Sequence, residues 1–137
     1  MLYKNILIPT DGTPTSEEII EFICSIQGNI NAVINVIYII EVPRNLPLNA
    51  DLPEKVELAR DAITRVQMIA EKYVVNINTS IIYARTSDDS IITTAQELKC
   101  DVIAIAQDNH KLRIFSNTAS NIYQRAKCNV WLFNNKL

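Results

Sequence analysis

Asn5-Ile6-Leu7-Ile8-Pro9-Thr10-Asp11-Gly12-Thr13 is the stretch on which the reading of this chain turns. Its apolar run is continuous and β-branched, as expected of a strand covered on both faces, and such strands belong to parallel sheets. Asp11-Gly12-Thr13 is the turn out of that strand. A helix is expected from about Ser16, with Thr15 or Ser16 as its N-cap, Glu17 and Glu18 in its first turn, and Ile19, Ile23 and Ile26 on one face. Gly28 is expected to end it.

The same alternation continues to the end of the chain. Ala32 to Ile40 reads as a central buried strand, followed by a loop that Pro43 and Pro47 open and that runs to about Leu52. That loop is proline-punctuated and long enough to serve as a flap. Pro53 suits the first turn of a long helix whose Val56, Ala59, Ile63, Val66, Ala70 and Tyr73 recur every three or four residues, the spacing of a face packed on a sheet. Ile77 to Ala84 is a third strand, and Ser87-Asp88-Asp89 starts a helix carrying Ile91, Ile92, Ala95 and Leu98. Asp101 to Ala106 is the fourth strand, Gln107 to Phe115 a polar irregular segment, Thr118 to Ala126 a short helix, and Asn129 to Phe133 the last strand. The expectation is one doubly wound, Rossmann-like α/β domain spanning residues 1–137, with five strands and four helices.

Bulk properties narrow the function classes. A chain of 137 residues, 48% of them apolar, can bury the core of one domain. Thirteen basic against fifteen acidic residues give a net charge of −2, which lacks the basic footprint of a nucleic-acid binder. No run approaches the roughly 18 apolar residues of a membrane span, and Met1 to Asn5 shows no secretory signal, so a cytoplasmic protein without membrane attachment is expected. Cys24, Cys100 and Cys128 are far apart and unaccompanied by clustered His, which excludes a zinc site or disulfide framework on spacing and leaves them as reduced, mostly buried thiols.

In an open parallel sheet, ligands bind beyond the carboxyl ends of the strands, where neighbouring crossovers leave for opposite faces. Those ends are Pro9-Thr10-Asp11-Gly12, Ile39-Ile40-Glu41, Ala84-Arg85-Thr86 and Ala106-Gln107-Asp108-Asn109. If the first and fourth strands are neighbours, Asp11 and Asp108 border one cleft and can hold a cation or a ribose hydroxyl. Asp11 has a second reading, as the cap of the turn before the first helix, and Asp108 a second reading as a solvated loop residue. With only Gly12 and Gly28, the chain carries neither GxxxxGK[ST] nor GxGxxG. No Ser/His/Asp constellation is present, and His110, the sole histidine, has no evident orienting partner, so no catalytic residue and no metal ligand is assigned.

Three stretches together resemble the universal stress protein family. Ile6-Leu7-Ile8-Pro9-Thr10-Asp11-Gly12-Thr13 with Ser16-Glu17 is similar to its opening "ILIPTDGS…SE" run. Arg85 to Ile92, then Glu97 to Ile105, is similar to "GRPAEEII…AEELGADLIVIG", and Lys127-Cys128-Asn129-Val130 to the closing "PCPVLVV" strand. The resemblance implies five parallel strands in the order 3-2-1-4-5, and the role of a small homodimeric stress-response or regulatory protein acting through interaction rather than turnover.

It also implies where ATP would sit in relatives that hold it: at the first-strand Asp, at the backbone ending the second strand, and at a G-x2-G-x9-G-[ST] signature after the fourth. Asp11 matches, within Pro9-Thr10-Asp11-Gly12, and Ile39 takes the second-strand position. The signature is degenerate. Ala106 and Asn109 stand at its first two glycines, and Ser116-Asn117 at its last pair after a spacer of only six. These nine residues are expected to be remnants of a nucleotide site, with Ser116 and Asn117 just before a short helix, no cofactor required and ATP with magnesium disfavoured. The rival readings are a nucleotide-binding universal stress protein with weak ATPase or autophosphorylation activity, a kinase-like enzyme, and a phosphoacceptor receiver domain. The last needs an aspartate ending the third strand, where this chain has Tyr83-Ala84-Arg85. Finally, Asn129 to Phe133 would lie at a sheet edge, so a homodimer through Val130, Trp131, Leu132 and Phe133 is expected, with packing of Trp131 under the last helix as the alternative.

Overall fold

The computed structural model describes residues 3–107 and 115–134. Strand β1 (Asn5–Thr10) leads to helix α1 (Pro14–Ile30), β2 (Val33–Glu41) to α2 (Pro53–Lys72), β3 (Ile77–Ala84) to α3 (Ser87–Glu97), and β4 (Val102–Gln107) to α4 (Phe115–Arg125), with β5 (Asn129–Asn134) last. The five strands are all parallel and lie in the order β3-β2-β1-β4-β5. Ile6 and Ile8 turn to the face covered by α1, with Ile20, Ile23 and Val66, while Leu7 turns to the other face with Ile91, Ile103 and Ile122. Burial on both faces is why β1 shows no alternation.

The element boundaries differ from expectation in three physically interpretable ways. Helix α1 begins at Pro14, because Thr13 is the N-cap: its hydroxyl accepts from the Ser16 amide at 3.4 Å, and proline is tolerated in a first turn where its missing N–H has no partner anyway. The helix passes through Gly28 and closes at Asn31, whose left-handed φ of 50° allows its amide to reach Gln27 O. Helix α4 begins at Phe115 rather than Thr118, so Ser116 and Asn117 lie within its first turn and not before it. Short polar side chains are compatible with a first turn, whose amides lack partners within the helix.

Two polar devices fix how the strands meet at the amino-terminal edge. Asp101 Oδ2 accepts from the Lys4 amide at 2.7 Å and the Asn5 amide at 2.9 Å, while the Asp101 amide donates to Asn5 O and its carbonyl accepts from the Asn129 amide. One residue thereby aligns β1, β4 and β5. Asn35, buried in β2, donates to Asn5 Oδ1 at 2.6 Å and accepts from Asn78 Nδ2 at 3.1 Å, joining β1, β2 and β3. Among the described residues no buried side-chain polar atom lacks a partner. Replacing Asp101 by Ala orphans two backbone amides and is expected to lower stability by roughly 2 kcal/mol, with Asp101→Asn milder because an amide oxygen still accepts. Equilibrium urea unfolding checks this, and an unchanged midpoint for Asp101→Ala contradicts the assignment.

Candidate functional site

At the carboxyl ends of the strands β1 parts from both of its neighbours. Asn5 O accepts from Asp101 N, so the odd residues of β1 direct their backbone groups at β4. Pro9 falls on that side and has no N–H to give. The β1–β4 pairing accordingly runs only over Ile6↔Val102 and Leu7↔Ile103, after which the two strands part. This is the position in the 3-2-1-4-5 order where the connections reverse direction, the topological switch point at which open α/β sheets take ligands.

On the other flank β2 outruns β1. Their pairing ends at Thr10↔Tyr38, whereas β2 continues to Glu41. Val33 N donates to Lys4 O at 2.8 Å and Val42 N to Ala84 O at 2.8 Å, so odd residues of β2 direct their backbone groups at β1 and even residues at β3. Past Thr10 there is no β1 to receive them. The Gly12 amide, which would come next, turns back to Thr10 Oγ1 at 3.2 Å. The carbonyl of Ile39 and the N–H of Glu41 therefore face the cleft, while the carbonyl of Glu41 accepts from Lys55 Nζ at 2.8 Å.

The cleft has a volume of about 240 Å³ and is lined by Thr10, Asp11, Tyr38, Ile39, Ile40, Glu41, Lys55, Leu58 and Ser87. Asp11 takes the capping role and also lines the cleft. Its Oδ1 accepts from the Thr13 amide at 3.0 Å, the Thr13 hydroxyl at 2.5 Å and the Ser16 hydroxyl at 3.2 Å, which is the capping role. Its Oδ2 makes no hydrogen bond among the described residues. Gly12 holds φ at 79°, a left-handed backbone in which a side chain would be strained, though its Cβ would meet Arg65 Nη2 only at an ordinary 3.4 Å contact. Arg65 closes this corner, donating to Gly12 O at 3.2 Å and to Glu17 at 2.8 Å. Burial, helped by the nearby Asp11 carboxylate, raises the Tyr38 phenol above its ordinary pKa, with Arg65 acting in the opposite sense.

Glu41 mirrors Asp11 on the far side. Its Oε2 accepts from the Ser87 amide at 2.8 Å and the Ser87 hydroxyl at 2.7 Å, capping α3 from a neighbouring strand. The Thr86 hydroxyl instead donates to Asp89. Lys55, Leu58, Tyr38 and Ser87 escaped the sequence reading as site residues. The helical stripe assigned Val56 and Ala59 to the core, and nothing in spacing alone marks Lys55 and Leu58 as the residues that reach back over the end of β2.

Of the expected remnants, Thr10, Asp11 and Ile39 line this cleft together. Pro9 is buried beneath it, Gly12 forms its turn, and Ala106, buried in β4, is not among its lining residues. Ser116 and Asn117 begin α4, and Asn109 lies outside the described residues, as do Asp108 and His110. No group of three or more His, Cys, Asp or Glu that could hold a metal occurs among the described residues. All three cysteines are free thiols, and burial pushes the pKa of Cys100 up to about 11.

The expected flap is tied down along its first half. Val42 is buried, and Arg85 Nη1, at the end of β3, donates to the carbonyls of Pro43 at 2.6 Å and Leu46 at 2.8 Å. On β5, Trp131 stacks edge-on against Tyr3 at 4.9 Å and Phe133 against Phe22 at 5.8 Å, both on the α1 face. The alternative of Trp131 under α4 is thus not what forms. Alternation along the strand sends Trp131 and Phe133 one way, and it is Val130 that joins the core beneath α3 and α4, while Leu132 is exposed.

A parallel, doubly wound sheet of five strands with a cleft at their carboxyl ends defines a Rossmann-like α/β domain. The profile of the Universal stress protein family matches residues 2–134, and the chain belongs to that family. It is 26% identical over 138 aligned positions to a universal stress protein of Methanocaldococcus jannaschii, an alignment covering 94% of this chain and 81% of the relative. The structure of the universal stress protein from Archaeoglobus fulgidus in complex with dAMP is similar in fold, with a TM-score of 0.75 at 16% identity over 96% of this chain and 98% of that one. A universal stress protein in complex with cAMP is similar to the same degree, with a TM-score of 0.75 at 15% identity over 98% of both chains. No helix among the described residues is long and apolar enough to cross a membrane.

The Arg85 clasp is open to a direct test. Arg85→Ala is expected to accelerate hydrogen exchange at the Leu46 and Ala50 amides by roughly fivefold, corresponding to about 1 kcal/mol for an exposed cationic group on carbonyls. Unchanged exchange at both amides contradicts the clasp.

Proposed function

We propose that this chain is a cytoplasmic, homodimeric stress-response or regulatory module that works by binding and not by turnover, with a cleft that keeps the nucleoside end of a nucleotide site and has lost much of its phosphate end. The observation that carries the reading is the overrun of β2. Ile39 C=O and Glu41 N–H offer an acceptor and a donor side by side to the edge of a heteroaromatic base, between the apolar walls of Ile39, Ile40 and Leu58. Asp11, which lines the same cleft, offers its carboxylate to a ribose hydroxyl. Relatives of this fold are seen in complex with dAMP and cAMP, and the cleft of the present chain offers a seat for the common part of such ligands.

The phosphate end is another matter. Ala106 is buried and carries a methyl group where the family signature calls for glycine, so the backbone there has less room to approach phosphate oxygens. The spacer from Asn109 to Ser116 is three residues short of the signature. Each lost charge-assisted hydrogen bond costs roughly 1.5–3 kcal/mol, and two such losses weaken a micromolar site to about millimolar or worse. Calorimetry with ATP and magnesium is therefore expected to return a dissociation constant near a millimolar. A micromolar constant that disappears in Asp11→Ala would falsify the degenerate reading and favour the nucleotide-binding alternative.

Absence of turnover is proposed on the same residues. The two carboxylates of the cleft, Asp11 and Glu41, each accept from a helix-terminal amide and hydroxyl, so both are engaged in holding the start of a helix.

The dimer is proposed through β5. Both sheet edges need protection: β3 exposes Asn78, Ser80 and Tyr83, and β5 exposes Asn129, Leu132 and Asn134, with Leu132 next in sequence to the residues of the Trp131–Tyr3 and Phe133–Phe22 pairs. Pairing with a second copy would complete the ladder and cover this apolar rim. Light scattering at tens of micromolar is expected to give twice the chain mass, and Leu132→Asp to halve it. A wild-type monomer at that concentration would rule the interface out.

A further inference from the structure

Two independent turns bring Cys100 and Cys128 to the same place. Helix α3 ends in a Schellman turn: Lys99 holds a left-handed φ of 55°, its amide donates to Gln96 O at 3.1 Å, and the Cys100 amide donates to Ala95 O at 2.8 Å. That fold-back buries Cys100 against the end of its own helix. Helix α4 closes with Ala126 N on Ile122 O, and Cys128 stands immediately before β5. Both thiols belong to the apolar layer beneath α3 and α4, whereas Cys24 lies in the layer beneath α1, across the sheet.

Strand register sets how far apart the two are. Val102 pairs with Asn129, and the Asn129 amide donates to Asp101 O at 3.2 Å. One step back along both chains sets Asp101 beside Cys128, with Cys100 on the diagonal. Neighbouring strands about 4.8 Å apart, with a rise of about 3.3 Å per residue, put the two Cα atoms roughly 6 Å from each other. A disulfide spans about 4.4–6.8 Å between Cα atoms and needs both side chains on one side, which the shared layer supplies. Both residues also line one cavity of about 120 Å³, room for a few waters or one small hydroperoxide, and the exposed Gln96 and Lys127 in its wall carry it to the surface.

We propose that Cys100 and Cys128 are a reversible dithiol–disulfide pair, a modification site whose oxidant is a hydroperoxide. Cys128, the less buried of the two, reacts first. Its thiolate attacks the peroxide and the O–O bond breaks; one oxygen stays on sulfur as a sulfenic acid, and the other leaves as water or an alcohol. The Cys100 sulfur then attacks Cys128 Sγ, the S–O bond breaks and water leaves, so two electrons and two thiol hydrogens have passed to the peroxide. Burial, followed by the neighbouring Cys128 and Asp101, pushes the Cys100 thiol up to about 11, and burial raises Cys128 as well. Little thiolate is present at neutral pH, so the pair oxidises slowly. Weakly acidic thiols are also poor leaving groups, so the disulfide is slow to reopen.

The test treats the reduced, folded full chain with millimolar hydrogen peroxide and follows intact mass, peptide map and thermal midpoint. The expected result is a loss of about two mass units, the two thiol hydrogens. A linked Cys100–Cys128 peptide is expected in both the unaltered protein and Cys24→Ser, and dithiothreitol reopens it in the folded state. The midpoint rises by roughly 5–10 °C on oxidation, because the bond closes a loop of roughly 30 residues around β4 and α4. In Cys100→Ala no linked peptide forms, and Cys128 remains a sulfenic acid that dimedone captures. A link through Cys24 or between two chains overturns the pairing, as does passage of both thiols to sulfinic acid without a cross-link. Thiols that stay reduced overnight in the folded protein, while the urea-unfolded chain oxidises, overturn the site itself. A bond that dithiothreitol opens only after unfolding overturns its reversibility.

Discussion

The missing N–H of Pro9 is the constraint that ends the pairing at the centre of the sheet. Proline is nearly excluded from central strands because it removes a ladder bond, and here it stands in the middle strand of five. The side it disables is the one toward β4, so β1 and β4 pair over Ile6 and Leu7 and then separate. A sheet that lets go at its centre needs to be held firmly elsewhere. Asp101 does so at the opposite end, with two charge-assisted bonds to the amides of Lys4 and Asn5 on the same pair of strands. The switch point is pinned at the bottom and released at the top.

A polar line through the base of the sheet complements this. Asn5, Asn35 and Asn78 lie on three adjacent strands, and each side chain hydrogen-bonds to the next, with Asn5 also donating to Leu98 O at 2.7 Å. In strands made mostly of Ile and Val, a slip of register would bury apolar groups almost as well as the native pairing does. It would not satisfy a buried amide, and an unsatisfied one costs about 1–3 kcal/mol. The asparagines therefore supply the register specificity that the apolar residues cannot. Register in turn decides that β2 extends past the end of β1, since Asn5↔Val33 at one end fixes Thr10↔Tyr38 at the other.

What was legible in the sequence was whatever depended on short-range chemistry. The strands could be read from continuous β-branched runs, the start of α2 from Pro53, and the membership of the core from three- and four-residue spacing in Val56 to Tyr73. The helix ends were less legible, because capping is a competition among neighbours. Thr13, Thr15 and Ser16 all have the chemistry of a cap, and only the three-dimensional turn at Asp11-Gly12 selects Thr13. The site was legible in outline, with Thr10, Asp11 and Ile39 brought to one cleft. Lys55 and Ser87 were not, since each enters through a contact with Glu41 made across 14 or 46 residues of chain. The sequence pattern carries no trace of such a contact. The tethering of the loop after β2 by Arg85 was hidden for the same reason, as its carbonyl partners bear no side-chain signature.

The two carboxylates at the cleft explain why a site of this shape need not be a centre of chemistry. Asp11 and Glu41 stand on adjacent strands at the ends nearest the ligand space, where a pair of carboxyl groups would suit general acid and base work if their environments drove their proton affinities apart. Instead both are recruited to the same structural task, one at the start of α1 and the other at the start of α3, and each receives an amide and at least one hydroxyl. Carboxylates that each hold the start of a helix are fixed in place by it, and that fixed placement is the physical ground for proposing recognition, and not turnover, as the work of this fold.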